Sequence, residues 1–353
     1  MTALDLTADV VTLTEQLVNI ESVSGNEDEI ADAVESELEA LAHLEVRRFG
    51  NTVVARTHHG HPERVVIAGH LDTVPLNHNL PARRVDESVH GLGACDMKGG
   101  VAVALRIAAT MAETNRDITF LFYECEEVEA SRNGLKLLGD SHPELLEADF
   151  AILMEPSDGL VEAGCQGTMR VDVVTHGERA HSARAWKGVN AIHAAAEVLD
   201  RLRAYEPRRP VIDGLEYREG LNAVFVNGGV AGNVVPDRCT VSVNYRFAPD
   251  RSEEEALAHM REVFDGFDME VSDSAPAAMP GLSVPAAAAF LEAVGGTANP
   301  KFGWTDVARF SALGIPAVNF GPGDPLLAHK QEELVPIEQL YSVEKQLREW
   351  LTP

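Results

Sequence analysis

Apolar positions recur with helical period at Val10, Leu13 and Leu17, and again at Ile30, Val34, Leu38 and Leu41. Ser24 and Glu27 have the spacing of a capping box at the entry to the second helix. Two short β-rich runs follow, LEVRRF and TVVART, joined through Gly50-Asn51. RVVIAGHLDTVP then starts as a β-rich run and breaks off into polar residues and proline. GLGACDMKGG leads into the helical VAVALRIAATMAE, and DITFLFYECEE, a helical stretch near 131–139 and ADFAILMEP continue the alternation. Strand alternating with helix predicts a largely parallel α/β sheet. Ligands of such sheets bind beyond the carboxyl ends of the strands, where HLD, EE and MEP all fall.

Near residue 168 the rhythm changes. TMRVDVVTHG, LNAVFVNGGV, RCTVSVNYRF and MEVSDSA read as strands, with helices over KGVNAIHAAAEVLDRLRAY and SEEEALAHMREVFDGF. Ser252 and Glu255 again have capping-box spacing. The β-α-β-β-α-β order is a compact unit of its own. APAAMPGLSVP reads as the linker out of it, and the tail alternates once more: a helix near 285–294, IPAVNF as a strand, and a closing helix from Pro336 to Trp350. The expected organisation is an α/β domain in two parts, 1–167 and 281–353, interrupted by a smaller α+β insertion over 168–280.

Composition narrows the function classes. The chain has 353 residues, 45% of them hydrophobic, enough for two cores. With 56 acidic against 29 basic residues the net charge is −27, a field that opposes nucleic acid and anionic membranes. The first residues carry no signal-peptide pattern and no stretch reaches 18 apolar residues, so a soluble cytoplasmic protein is expected. Cys95, Cys125, Cys165 and Cys239 are scattered without a CxxC pair, which suits a reducing compartment.

The polar strand ends carry the candidate chemistry. His70 and Asp72 lie two apart, so on an extended chain they face the same way, and a carboxylate behind a histidine fixes its tautomer. In GLGACDMKGG an aspartate, Asp96, stands where a GxGxxG frame requires glycine; it repels phosphate and suits a cation. Glu126 and Glu127 are adjacent and face opposite ways if extended: one reads as a metal ligand, the other as a group that reaches water. A solvated acidic turn is the competing reading, and it is the one given to Glu124 and Glu129. Glu155 ends the run FAILM, and His329 follows the Gly-rich GPGD. Taken together, His70, Asp96, Glu127, Glu155 and His329 have the makeup of a two-metal hydrolytic site. Cys95 and Cys125 precede two of these residues and read as small buried side chains rather than ligands.

HLDTVP, GLGACDMKGG, CEE, MEP, GERAHSARAWKGVNAI and AHKQEE, in this order over nearly the whole chain, resemble the metal-dependent amidohydrolase family that includes desuccinylases, acetylornithine deacetylases, glutamate carboxypeptidases and aminoacylases. The resemblance implies a zinc-exopeptidase-like catalytic domain with an inserted ferredoxin-like dimerisation lid. It implies two divalent metals, zinc first, with cobalt or manganese as alternatives. His70 and Glu155 would hold one ion, Glu127 and His329 the other, and Asp96 would bridge them. Asp72 would orient His70, and Glu126 would be the general base. His181 would reach the active site of the partner in a homodimer and stabilise the oxyanion, worth about 3 kcal/mol in a closed, dry site. The peptide Asp96-Met97 would be cis.

The substrate follows from the same resemblance. Asn233 and Arg246, in NVVPDRCTVSVNYRF, fall where relatives bind substrate carboxylate, and an Arg fork matches a carboxylate with two hydrogen bonds. Gly303, Thr305 and Asp306, in FGWTDVARF, resemble a loop that contacts the acyl and amine ends, although Trp304 departs from the small residue usual there. These stretches look most like desuccinylases of high-GC Gram-positive bacteria. They imply hydrolysis of N-succinyl-LL-2,6-diaminoheptanedioate to succinate and LL-diaminopimelate. An acetylornithine deacetylase, a dipeptidase or carboxypeptidase, and a metal-free binding protein are the alternatives, in that order.

Overall fold

The computed structural model describes residues 4–353 and divides into two compact units. The first comprises residues 4–163, Gly281–Asn299 and 309–353; the second comprises Gly164–Pro280 and Pro300–Ala308.

The centre of the first unit is four adjacent parallel strands, in the spatial order Asp117–Tyr123, Arg64–His70, Phe150–Leu153 and Ala317–Asn319. Asp117–Tyr123 is buried along its whole length, as expected of a strand covered on both faces. The hairpin Glu45–Phe49 and Thr52–Arg56 adds antiparallel strands at one side, and Val161–Ala163 adds another beyond Ala317–Asn319. Helices Val10–Val18, Gly99–Thr110 and Ile337–Leu351 pack on one another and carry much of the core. A separate sheet of three-residue strands, Arg83–Val85, Ser88–His90 and Leu334–Pro336, has no counterpart in the sequence pattern.

The helix Asp28–Glu39 starts without the capping box expected from Ser24 and Glu27. Both side chains are engaged elsewhere: the Ser24 hydroxyl donates to Asp72, and the buried Glu27 carboxylate accepts the Gly25 and Cys125 amides. At Ser252–Glu255 the same spacing does form the box.

The second unit is a four-stranded antiparallel sheet in the order Gly220–Gly228, Arg238–Phe247, Gly167–His176 and Asp268–Ala275. Helices Ala191–Ala204 and Glu253–Val263 pack on it around Val171, Val173, Val241, Val243, Met260 and Phe264. Residues 300–308 join this unit through Gln166 N–H to Lys301 O (3.3 Å) and the Cys165 thiol to Thr305 O (3.7 Å). The edge strand Gly220–Gly228 leaves Val224, Phe225 and Val226 exposed, Phe225 by 68%. Among the described residues no helix is long and apolar enough to cross a membrane.

Candidate metal centre

Each strand of the parallel core delivers one acidic or imidazole side chain at or just past its carboxyl end. His70 is the last residue of its strand; Glu127 lies four residues beyond Tyr123, Glu155 two beyond Leu153, and His329 ten beyond Asn319. Asp96 sits in the loop before helix Gly99–Thr110, at a cis Asp96-Met97 peptide. The chain turns tightly here. A Cβ on Gly100 or on Gly321 would stand 2.2 or 2.3 Å from Met154 O, so only glycine lets the first turn of that helix and the loop after Asn319 close on the peptide ahead of Glu155.

Four of the five expected ligands converge. One ligand atom from each of His70, Asp96 and Glu127 lies within 4.8 Å of the others. His70 Nε2 is 3.1 Å from Asp96 Oδ1, and His329 Nε2 is 3.3 Å from Asp96 Oδ2 and 2.8 Å from Glu127 Oε1. Glu155, 6% exposed, lies in the same layer of strand ends.

Electrostatics follow from this crowding. Burial alone would lower the pKa of His70, but Asp72 and Asp96 outweigh it and hold it well above the ordinary value. Asp96 and Glu127 push His329 up to about 10. Burial would raise Asp96, yet the two histidines hold it well below the usual carboxylate range. The imidazolium protons are the charge that divalent cations replace on binding. The donor set therefore fits such cations: imidazole nitrogens around a shared carboxylate, with more carboxylates than imidazoles. The thiols do not compete, since burial raises both Cys95 and Cys125, the latter to about 12.

Asp72 is fully buried behind the cluster. His70 Nδ1 lies 3.0 Å from Asp72 O and 3.5 Å from Asp72 Oδ1, which places the neutral ring's proton on Nδ1 and the Nε2 lone pair toward Asp96. The Asp72 carboxylate also accepts the Glu126 and Glu127 amides at 3.0 and 3.1 Å. Glu126 itself is half-buried. The acidic run is only partly a solvated turn: Glu129 is exposed, but Glu124 is half-buried and accepts the Asn51 amide at 2.9 Å.

Two buried charges next to Asp96 had no role in the sequence reading. Lys98 Nζ donates to Ile20 O at 2.7 Å, and burial pushes its pKa down to about 7. Glu333 accepts the backbone amides of Cys95 and Asp96, each at 3.1 Å. Neither residue lies in a spacing pattern that marks it.

The remaining candidates lie in the second unit, some on its four-stranded sheet and some on a separate two-residue ladder. His181 pairs with Val234 in a two-residue ladder, and Ser182 N–H donates to Asn233 O at 2.9 Å, so His181 and Asn233 are neighbours. His181 is exposed, and its Nδ1 accepts the Ala183 amide at 3.1 Å, which leaves Nε2 as a free N–H donor on the neutral ring. Arg246 stands eight residues after Arg238 on the strand Arg238–Phe247, a span of roughly 26 Å along that strand. The half-buried Arg246 makes no side-chain hydrogen bond or ion pair among the described residues. Arg246 is opposite Thr168 in the ladder, close to where Cys165 and Gln166 hold the loop of Gly303, Thr305 and Asp306. Thr305 Oγ1 is buried there without a partner.

A model of peptidase family M20/M25/M40 matches residues 66–352. A Mycobacterium tuberculosis protein assigned provisionally as succinyl-diaminopimelate desuccinylase DapE is 54% identical over 351 residues, 99% of each chain. A succinyl-diaminopimelate desuccinylase of Corynebacterium glutamicum is 48% identical over 360 residues, covering 99% of this chain and 98% of that one. Among solved structures, a Staphylococcus aureus tripeptidase superposes with a TM-score of 0.79 at 23% identity, covering 97% and 96% of the two chains. A dinuclear metal-binding peptidase of Bacillus subtilis superposes at 0.71 and 19% identity, covering 98% and 97%. Both likenesses are of fold.

Proposed function

Since the chain belongs to peptidase family M20/M25/M40, we propose that it is a two-metal amide hydrolase that releases succinate and LL-diaminopimelate from N-succinyl-LL-2,6-diaminoheptanedioate. One observation carries the metal reading: Asp96 turns one carboxylate oxygen to His70 and the other to His329. A carboxylate shared in this way is the donor that bridges two cations. His70 and Glu155 would hold one, Glu127 and His329 the other; zinc, cobalt and manganese all accept these donors. Bound there, the ions would act as Lewis acids on the amide carbonyl and on water.

The chain's own residues do the rest. Glu126 takes a proton from the attacking water at its carboxylate and returns it to the departing amine nitrogen. Asp72 keeps the His70 lone pair on Nε2 and fixes the backbone that carries Glu126. Arg246, a half-buried guanidinium without a side-chain hydrogen bond or ion pair among the described residues, pairs with a substrate carboxylate. Gly303, Thr305 and Asp306 line the acyl and amine ends. His181 donates from Nε2 to the oxyanion, and Asn233 acts beside it.

A homodimer through the inserted unit belongs to this reading. Arg246 lies opposite Thr168 at one end of the strand pair Gly167–His176 and Arg238–Phe247, whereas the chain runs into the His181–Val234 ladder from the other end, after His176 and before Arg238. If all three serve one substrate, they come from two copies. The exposed strand Gly220–Gly228 offers an unpaired edge and apolar side chains for the second copy. A cytoplasmic setting and the absence of nucleic acid or membrane from the reaction complete the proposal.

The test is steady-state hydrolysis by metal-loaded protein of N-succinyl-LL-diaminopimelate against N-acetylornithine, with Glu126→Gln as control. The expected result is a preference for the succinyl compound of roughly a hundredfold in kcat/KM, ~3 kcal/mol of discrimination. In the control, kcat falls by about 10²–10⁴ with metal content unchanged. Preference for acetylornithine overturns the acyl assignment and leaves the metal centre standing. A Glu126→Gln variant as active as the wild type overturns the mechanism.

A further inference from the structure

Glu333 lies four residues after His329 and is 2% exposed. It sits where the strand Leu334–Pro336 begins, and that strand pairs antiparallel with Ser88–His90. Gly91 N–H donating to Glu333 O at 3.2 Å carries the contact one step past the ladder. Glu333 is thereby held beneath the loop Gly91–Asp96, which returns over it by way of Gly93, in the left-handed region at φ +77°. Its Oε1 then accepts two successive amides, Cys95 N–H and Asp96 N–H, both at 3.1 Å.

A buried carboxylate is costly unless its environment compensates for lost hydration, and here the compensation comes from the amides of Gly93, Cys95 and Asp96, ending on the Cys95–Asp96 peptide. That peptide carries the shared donor of the metal centre. Its orientation decides whether Asp96 offers one oxygen to each side. The segment 329–333 thus reaches the centre twice, directly through His329 and from behind through Glu333.

We propose that Glu333 is a positioning residue for Asp96: its carboxylate grips the Cys95 and Asp96 amides and so sets the geometry of the bridging donor. The inference rests on the reading of Asp96 as a metal ligand. Reach matters more than charge on this account. Glutamine keeps an acceptor oxygen at the same distance. Aspartate keeps the charge but is one methylene short, and alanine keeps neither.

The experiment is cobalt titration of the metal-free protein and of Glu333→Gln, Glu333→Asp and Glu333→Ala, followed by calorimetry and by the visible absorption of the bound ion. Backbone hydrogen exchange over residues 93–97 is measured on the same metal-free samples. The wild type and Glu333→Gln are expected to bind alike within a few-fold, with the same spectrum. Glu333→Asp and Glu333→Ala are expected to lose about 10–100-fold in affinity, with an altered spectrum and faster exchange at Cys95 and Asp96. If Glu333→Ala does not fold, the comparison of aspartate with glutamine decides. Wild-type affinity and spectrum in Glu333→Asp overturn the proposal, as does loss of both in Glu333→Gln. A wild-type protein that binds no cobalt sinks the metal reading itself, which is a different failure.

Discussion

Asp72 Oδ1 accepts the backbone N–H of Glu126 at 3.0 Å, so the residue that orients the His70 ring also holds the peptide bearing the proposed base. Asp72 Oδ2 takes the Glu127 amide at 3.1 Å and the Ser24 hydroxyl at 2.7 Å. One buried carboxylate thus registers His70, Glu126 and Glu127 against each other. In Asp72→Asn one of these acceptors becomes an NH₂ that faces donors. Leaving a buried donor unpaired costs about 1–3 kcal/mol, so thermal stability should fall by that amount. The misorientation of His70 and Glu126 should lower kcat by about 10–100-fold, with KM little changed. Kinetics and thermal unfolding on the same samples check both; wild-type kcat would remove Asp72 from the machinery.

Arg246 should separate binding from chemistry. Its guanidinium is half-buried and lacks a side-chain hydrogen-bond partner among the described residues, an arrangement that suits an incoming carboxylate. A charged hydrogen-bonded contact contributes about 1.5–3 kcal/mol, so Arg246→Ala should raise KM roughly tenfold to a hundredfold, and kcat should change less. Arg246→Lys should recover only part of this, because a point charge cannot reproduce the two-pronged contact. Equal KM values for wild type and Arg246→Ala would place the substrate carboxylate elsewhere.

How far the sequence speaks is clearest where one spacing succeeds and its twin fails. Ser252 and Glu255 form their capping box because both face solvent and their side chains make no other hydrogen bond among the described residues. Ser24 and Glu27 do not, because Asp72 and Cys125, 48 and 98 residues away, claim their side chains. The candidate site was legible at strand ends because buried parallel strands read as apolar runs such as ITFLFY that stop abruptly. Glu333 was not, since its partners are backbone amides 237 and 238 residues away, on a strand pair of three residues. The placement of Arg246 is likewise a matter of register: it lies opposite Thr168, eight residues along the strand from Arg238, which lies opposite His176.

Glu219 should govern the acid stability of the second unit. Its carboxylate meets Arg208 at 2.7 and 3.2 Å, the Tyr245 hydroxyl at 2.9 Å and the Ala248 amide at 3.1 Å. Burial would raise its pKa, but Arg208, Ala248, Arg251 and Tyr245 together hold it below the ordinary value. A depressed acid contributes stability above its unfolded pKa and loses it as pH falls through the folded one. Glu219→Gln should therefore be less stable than wild type by about 2 kcal/mol at pH 7, and the gap should close below about pH 4. Urea unfolding across pH 3–7 measures it; a gap that widens in acid would reverse the sign of the argument.

The proposed dimer makes a sharper prediction than any single variant. Phe225 is 68% exposed on an edge strand, flanked by Val224 and Val226. Phe225→Asp should abolish self-association in sedimentation while leaving the metal content of each chain intact. If His181 acts on the partner's substrate, each site draws on two chains, and damage can be sorted between them. Homodimers of Glu126→Gln lack the base in both sites, and homodimers of His181→Ala lack the oxyanion donor in both. A mixed dimer has one site carrying both lesions and one carrying neither. Equal mixing after dissociation yields half mixed dimers, so activity should recover to about a quarter of wild type. If His181 serves its own chain, each site in the mixed dimer carries one lesion and no recovery occurs. Phe225→Asp introduced into both variants should abolish the recovery, which ties it to the exposed edge.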